Sequence, residues 1–271
     1  MTSGRPPRTT PLRLLLPAVV AAAFLIIPVL GLLLNTPWSG FVSIVTAPEA
    51  RTALLLSLFT AAVATILCVL FGLPLAWVLA RVSFPGRRLA RGLVTVPLVL
   101  PPVVGGVALL TALGRNGIVG RPLDATFGVT LPYTTLAVVI AHTFVSMPFF
   151  VISAEGALRA VPGSLESAAS TLGADRWTTF RRVSLPLAVP GLAAGAVLAF
   201  ARSLGEFGAT ITFAGNYPGT TRTMPNEVYT VLQSDRDTAV ALSVVLLVIC
   251  VLVLVTLRER WLTAGALGGT S

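Results

Sequence analysis

The sequence predicts an all-α integral membrane protein: six transmembrane helices, with a short helix outside the bilayer between spans four and five. Three observations carry this. Of 271 residues, 55% are hydrophobic and 11% charged, and mean hydropathy is +0.90; soluble domains carry about 25% charged residues. The apolar residues fall into six runs, each near the roughly 20 residues that cross a bilayer. One polar interruption, residues 155–186, is long and charged enough to stand apart, with Arg159, Arg176, Arg181, Arg182, Glu155, Glu166 and Asp175.

The elements follow in order. Residues 1–13 are polar and Pro-rich. The run 14–34 reads as the first span; it is too long for a signal-peptide core, and Pro17 and Pro28 are expected to mark its ends. Residues 35–51 form a polar loop with Trp38, suited to a membrane interface. Span two covers about 52–80, long enough to tilt or project. A basic loop, 81–91, leads into span three, 92–114, which is interrupted by Pro97, Pro101, Pro102, Gly105 and Gly106. After a loop at 115–131 comes span four, 132–153. Span five is 187–210, followed by a loop at 211–237 with turn signals at Gly215-Asn216 and Pro218-Gly219. Span six is 238–257. The chain thus divides into an N-terminal segment (1–13), the first span with its loop (14–51), a main transmembrane body (52–257) and a weakly structured tail (258–271).

Six spans place both termini on one side, and the Arg distribution chooses the side. Arg5, Arg8, Arg13, Arg81, Arg87, Arg88, Arg91, Arg258 and Arg260 join the four of 155–186 on one face. Arg51, Arg115, Arg121, Arg222 and Arg236 lie on the other. The positive-inside rule then puts both termini and residues 155–186 in the cytoplasm of a multi-pass membrane protein. The formal net charge of +9 is explained by this topology. It lacks the aromatic-interleaved basic surface of a nucleic-acid binder.

Within the interruption, Pro162-Gly163 breaks the chain and Ser164 is placed to cap a new helix. Glu166 falls in its first turn, favourable to the helix dipole. Leu165, Ala168, Ala169 and Leu172 recur at i, i+3, i+4 and i+7, one apolar stripe. Gly173 is placed to end the helix. A helix of about two turns is marginal alone, so this one needs a partner to pack on.

Inside the spans, Arg202 and Glu206 are the unusual residues, since a charge at membrane depth costs about 3 kcal/mol on insertion scales. Four apart, they can pair on one helical face. Either they neutralise each other and stabilise a helix end, or they face a wet cavity. Gly205 and Gly208 would let another backbone approach, and Ser203, Thr210 and Thr212 could offer hydroxyls to a solute. Pro97-Leu-Val-Leu-Pro101 and Pro186-Leu-Ala-Val-Pro190 echo one another. They read either as ordinary helix starts or as two bent helices along a polar route. His142 reads as a hydrogen-bonded structural residue.

Several chemistries are excluded. There is no Lys, so no P-loop can be built here. With one His, and with Cys68 and Cys250 both inside apolar runs, no metal set is available. No nucleophile–base set or acid–base carboxylate pair appears.

The stretch Leu165-Glu166-Ser167-Ala168-Ala169-Ser170-Thr171-Leu172-Gly173-Ala174-Asp175, with Phe180, Val183, Leu185 and Pro186 after it, resembles the EAA loop of prokaryotic ABC-importer permeases. The resemblance implies that this helix, Ser164 to Asp175, docks on a separate ATP-binding subunit. The consensus Glu would fall at 167, which is Ser here, and Glu166 lies one place earlier. Pro97–Gly106 resembles the third span of molybdate and sulfate permeases. Phe200–Thr210, with Thr221-Arg222-Thr223-Met224-Pro225 and Tyr229, is similar to the molybdate type.

The resemblance, over about 50–257, implies a permease subunit without an ATP site of its own. Its expected partners are a second permease chain, two ATPase subunits that hold ATP and Mg, and an external oxyanion-binding protein. It implies import of molybdate by alternating access, with Pro101, Pro102, Gly105, Gly106, Arg202, Ser203, Gly205, Glu206, Gly208 and Thr210 along the path or gate. A sulfate, thiosulfate or tungstate permease of the same fold is the alternative. An ion-coupled secondary transporter would want inverted repeats and midplane ion ligands, and neither is found.

Overall fold

The computed structural model describes residues 12–266, and every regular element among them is helical. The expected N-terminal segment lies outside the described residues up to Pro11, as does the tail beyond Ala266. α1 spans Leu12–Leu34 and runs through Pro17 and Pro28, which do not mark its ends. Each proline removes one ladder bond without ending a membrane helix. The loop expected over 35–51 is shorter and holds α2, Phe41–Val45. α3, Pro48–Arg81, starts on a proline with Glu49 in its first turn, both favourable there. Its 34 residues reach about 50 Å, well beyond a hydrocarbon core of about 30 Å.

The third span is two helices, α4 (Arg87–Val99) and α5 (Pro102–Leu113), bent by 116°. The break falls at Leu100 and Pro101, both extended at ψ 131° and 135°. Each precedes a proline, and the proline ring disfavours helical backbone in the residue before it. The echoing pentad behaves differently. Pro186 sits in the first turn of α10 and Pro190 is carried inside that helix. With no doubled proline, the chain stays helical.

α6, Gly120–Phe127, occupies part of the expected 115–131 loop. α7, Thr135–Ala160, is capped by Thr134, whose hydroxyl accepts from the Ala137 amide at 3.1 Å. α8 (Gly163–Thr171) and α9 (Arg176–Thr179) follow. A π turn at Phe180–Ser184 leads into α10, Leu185–Leu204. The fifth span therefore starts at Arg176, earlier than expected, and ends at Leu204. Residues up to 210 are not its continuation, because α11 starts afresh at Gly208 and runs to Phe213. α12, Met224–Val231, fills the end of the expected 211–237 loop, after turns at Gly215 and Gly219 with φ 77° and 74°. α13, Arg236–Ala266, continues through much of the expected tail.

Among the described residues five helices are long and apolar enough to cross a membrane, or six where the bent α4–α5 pair counts as one span. The core is the mutual packing of α3, α7 and α10, with Cys68, Ala76, Leu79, Phe150, Leu158 and Ala199 at its centre. α3 contributes a seam of mostly small residues, including Ala53, Ser57, Ala61, Ala64, Cys68 and Gly72. Small residues let membrane helices approach closely. A Cβ on Gly72 would lie 2.7 Å from the Phe150 ring. A second cluster joins α5, α7 and α11. α1 is the exception: none of its apolar stretch 14–34 is buried.

Candidate functional site

α8 is a short surface helix tethered along one side. Its start differs from expectation. Pro162 occupies the N-cap position, no side chain caps the helix, and Ser164 lies inside the first turn. Pro162 offers its carbonyl to the Leu165 amide at 3.1 Å, and its extended backbone (ψ 125°) turns the chain where a Ser cap was expected. The end is as expected. Gly173 has φ +85°. Its amide donates to Ser170 O and that of Ala174 to Ala169 O, both at 3.0 Å. This is a Schellman closure, which needs glycine at the left-handed residue. Asp175 then caps α9, accepting from the Thr178 amide at 3.0 Å. The Thr178 hydroxyl and amide hold the Asp175 carboxyl below the ordinary aspartate value.

No residue of α8 is buried. Leu165 is 45% and Leu172 88% exposed, Ala168 is exposed and Ala169 half-buried. The apolar stripe is on the surface. Glu166 points the other way. It pairs with Arg81, the last residue of α3, at 2.8 Å, and accepts from the Ser184 hydroxyl in the π turn at 2.6 Å. Glu166 thus fastens α8 to two other elements.

Sequence reasoning missed the basic network beneath. Glu155 on α7 binds Arg91 of α4 at 2.7 Å and Arg159, one turn on, at 2.8 Å. Arg91 also donates to Leu79 O at 2.9 Å and Arg87 to Ala80 O at 3.0 Å. Arg87 also donates to Leu79 O. Arg81 reaches Val161 O at 3.1 Å. The last carbonyls of a helix lack intrahelical donors, and here α4 supplies them to α3. The Glu155–Arg159 spacing was visible as an i, i+4 pair. The partners on α4 lie far away in sequence and left no signal.

The other candidate region is the α10–α11 break. Arg202 and Glu206 do pair, at 2.6 Å, with Glu206 1% exposed, but the helix has already ended at Leu204. The other carboxylate oxygen accepts from the Ala209 amide at 2.8 Å, an orphan donor in the first turn of α11. One residue thus closes α10 and opens α11. Gly208 permits close approach: its Cβ would lie 2.7 Å from Pro102 Cβ. Gly106 does the same from α5, where a Cβ would lie 2.7 Å from Thr212 Cβ and 2.9 Å from Ala209 O. Gly205, expected to act likewise, meets only Ala201 O of the preceding turn, at 3.8 Å. It lies exposed just past the end of α10.

Of the path candidates, Pro102, Gly106, Glu206 and Gly208 meet at this crossing, whereas Gly105 faces Phe144 of α7. Gly105, Gly106, Ser203, Glu206, Gly208 and Thr210 are buried; Pro101, Pro102 and Gly205 are exposed, and Arg202 half-buried. Thr212 spends its hydroxyl on Gly208 O at 2.8 Å. His142 is buried, but the hydrogen bond expected of it is not made: among the described residues no group bonds to either ring nitrogen. Among the described residues no His, Cys, Asp and Glu gather as a metal set.

Residues 69–264 match the family described as "Binding-protein-dependent transport system inner membrane component". The chain is 50% identical over 255 residues to the molybdenum transport system permease protein ModB of Mycobacterium tuberculosis, covering 94% of this chain and 96% of that one. It is 44% identical over 219 residues to ModB of Escherichia coli (81% and 95%). With the Escherichia coli sulfate transport system permease protein CysT the identity is 39% over 228 residues (83% and 82%). Among solved structures, a bacterial alginate ABC transporter matches with a TM-score of 0.72 at 18% identity (91% and 92%). The MetNI methionine ABC transporter matches at 0.62 and 19% (79% and 95%). These last two bear on the fold alone. The chain therefore belongs to the binding-protein-dependent transport system inner membrane components and is a multi-pass permease subunit of an ABC importer.

Proposed function

We propose that this chain carries molybdate across the cytoplasmic membrane, as one half of a homodimeric pathway driven by a separate pair of ATPases. The observation that carries the coupling is α8: a Schellman-closed rod with its Leu165–Leu172 stripe uncovered and its base pinned through Glu166. A face of that kind is stable only when a partner covers it. ATP and Mg would sit on that partner. An external binding protein would deliver the oxyanion to the opposite loops, and both termini and α8 would face the cytosol.

A dianion is costly to desolvate in hydrocarbon, so the route must be wet or lined with donors while open. In this reading the exposed Pro101, Pro102 and Gly205, with half-buried Arg202, form its wall. The buried Gly105, Gly106, Ser203, Glu206, Gly208 and Thr210 lie behind it. Movement of α8 would pass through Glu166 and Arg81 to α3, and through Glu155 and Arg91 to α4. The broken third span would then be re-aimed in an alternating-access switch.

The test is uptake of labelled molybdate by cells expressing the permease with its ATPase and binding protein. Gly173→Val should strain the left-handed residue by about 1–2 kcal/mol and abolish uptake while membrane insertion persists. Ala169→Asp should do the same. Normal uptake in both removes the docking role of α8. Sulfate is the second reading, favoured by the 39% identity to CysT. Competition of uptake by sulfate and by tungstate decides between them.

A further inference from the structure

We propose that the junction of α3, α9 and the π turn is a binding site for an anionic phospholipid, one molecule per chain. Two recesses meet there. One, of about 470 Å³, is polar and includes Arg81, Ser83, Arg176 and Thr179. The other, of about 680 Å³, is walled by Leu70, Leu73, Pro74 and Trp177. They share Trp77, Arg176 and Phe180, so a polar chamber and an apolar slot adjoin across these three side chains. This is the division of a lipid into phosphate and acyl chain.

The polar chamber is lined by Arg81 and Arg176 and by the hydroxyls of Ser83, Ser170 and Ser184, with Glu166 as the carboxylate in its lining. Arg81 Nε and Thr179 Oγ1 are buried and unpartnered, and Thr179 is 8% exposed. Neither atom has surface open to the chamber, so the donors a phosphodiester would meet there are the Arg176 guanidinium and the Ser83 hydroxyl. Arg176 stands at the shared edge, exposed. Glu166 also lines the chamber, but Arg81 Nη2 and the Ser184 hydroxyl already hold one of its oxygens.

Arg matches phosphate oxygens geometrically, and basic pockets between membrane helices bind anionic headgroups. The slot wall is aromatic. Trp77 meets Phe180 edge-on at 6.1 Å and Trp177 lies 5.7 Å from the same ring. Tryptophan prefers the headgroup level, which sets the depth of the site. Because the recess touches Glu166, Ser170 and Ser184, the bound headgroup would sit against the root of α8. The inference rests on the proposed function only for which leaflet supplies the lipid.

The test is native mass spectrometry of full-length permease purified in mild detergent, with phosphatidylglycerol and phosphatidylcholine offered at equal concentration. It reads lipid and needs no transport, so its failure is separable from that of the importer reading. One phosphatidylglycerol per chain is expected, with phosphatidylcholine bound about tenfold less. Arg176→Glu should lower retention by about tenfold or more, and Ser83→Ala should lower it by less. Leu73→Trp, which fills the slot, should also lower it. Arg181→Glu, outside both recesses, should retain lipid, and equal melting temperatures show that each variant is folded. Equal retention by all variants overturns the proposal. So does phosphatidylcholine binding as well as phosphatidylglycerol, or displacement by millimolar inorganic sulfate, which would mark a site for free oxyanions.

Discussion

Removing Arg202 and Glu206 separately and together tests whether the pair is a closed structural unit. Arg202→Leu leaves a carboxylate that is 1% exposed with only the Ala209 amide, at 2.8 Å, to satisfy it. Breaking a buried pair from one side costs about 3–5 kcal/mol, and the upper half of that range fits so enclosed a group. Glu206→Gln keeps an acceptor for Ala209 and removes the charge. The Arg202 side chain is 27% exposed and can recruit water, so this change should cost only about 1–2 kcal/mol. With both changes no charge is buried, and the expected cost falls to about 1 kcal/mol. The double variant should thus be more stable than Arg202→Leu alone, a coupling of at least about 2 kcal/mol. Thermal unfolding of the detergent-purified permease reads this as a recovery of several degrees. If the double variant loses the sum of the two single losses, the pair is not a mutually neutralising unit and the argument from its burial fails.

Three further outcomes follow from the geometry. Gly106→Val should destabilise by about 1–3 kcal/mol, because its Cβ would already meet Thr212 Cβ at 2.7 Å and Ala209 O at 2.9 Å; Gly92→Ala, with nothing within 4 Å, should leave the melting temperature unreduced. Asp175 has its carboxyl held low by Thr178, so its contribution is fully present above the ordinary aspartate value of about 3.9 and is lost as pH falls through the folded value. Hydrogen exchange at the Thr178 amide, corrected for its intrinsic pH dependence, should therefore show lost protection only below the ordinary aspartate value, and Asp175→Asn should remove that step. Thiols placed at the exposed positions Ser167 and Pro218 should react with impermeant reagent from opposite sides of the membrane, and labelling from the same side overturns the topology.

Much of this protein was legible in one dimension because a bilayer imposes a simple code. A span must be apolar along its length, so the six runs announced themselves. Helix punctuation is equally local: Gly173 closes α8 because only a residue tolerant of φ +85° completes that turn. The stripe Leu165–Leu172 also needed nothing beyond helical period. Local rules misjudged the elements where neighbours decide. Pro17 and Pro28 look like ends and are interior. Ser164 looks like a cap, but Pro162 starts the helix. The loops at 35–51, 115–131 and 211–237 hold short helices that polar composition concealed.

Sequence alone determined the class, the apolar runs and the uncovered rod, and marked the third span as interrupted, since each depends on residues within a few turns of one another. Only the tertiary structure decided how they are joined. Arg91 meets Glu155 from 64 positions away, Glu166 meets Arg81 and Ser184, and Gly106 admits the backbone of Ala209. Ion pairs and close backbone approaches depend on where separate helices cross, and that is set by packing the whole bundle at once. The membrane fixes what each segment is. The crossings of α3, α4, α7 and α10 fix what each charge is for.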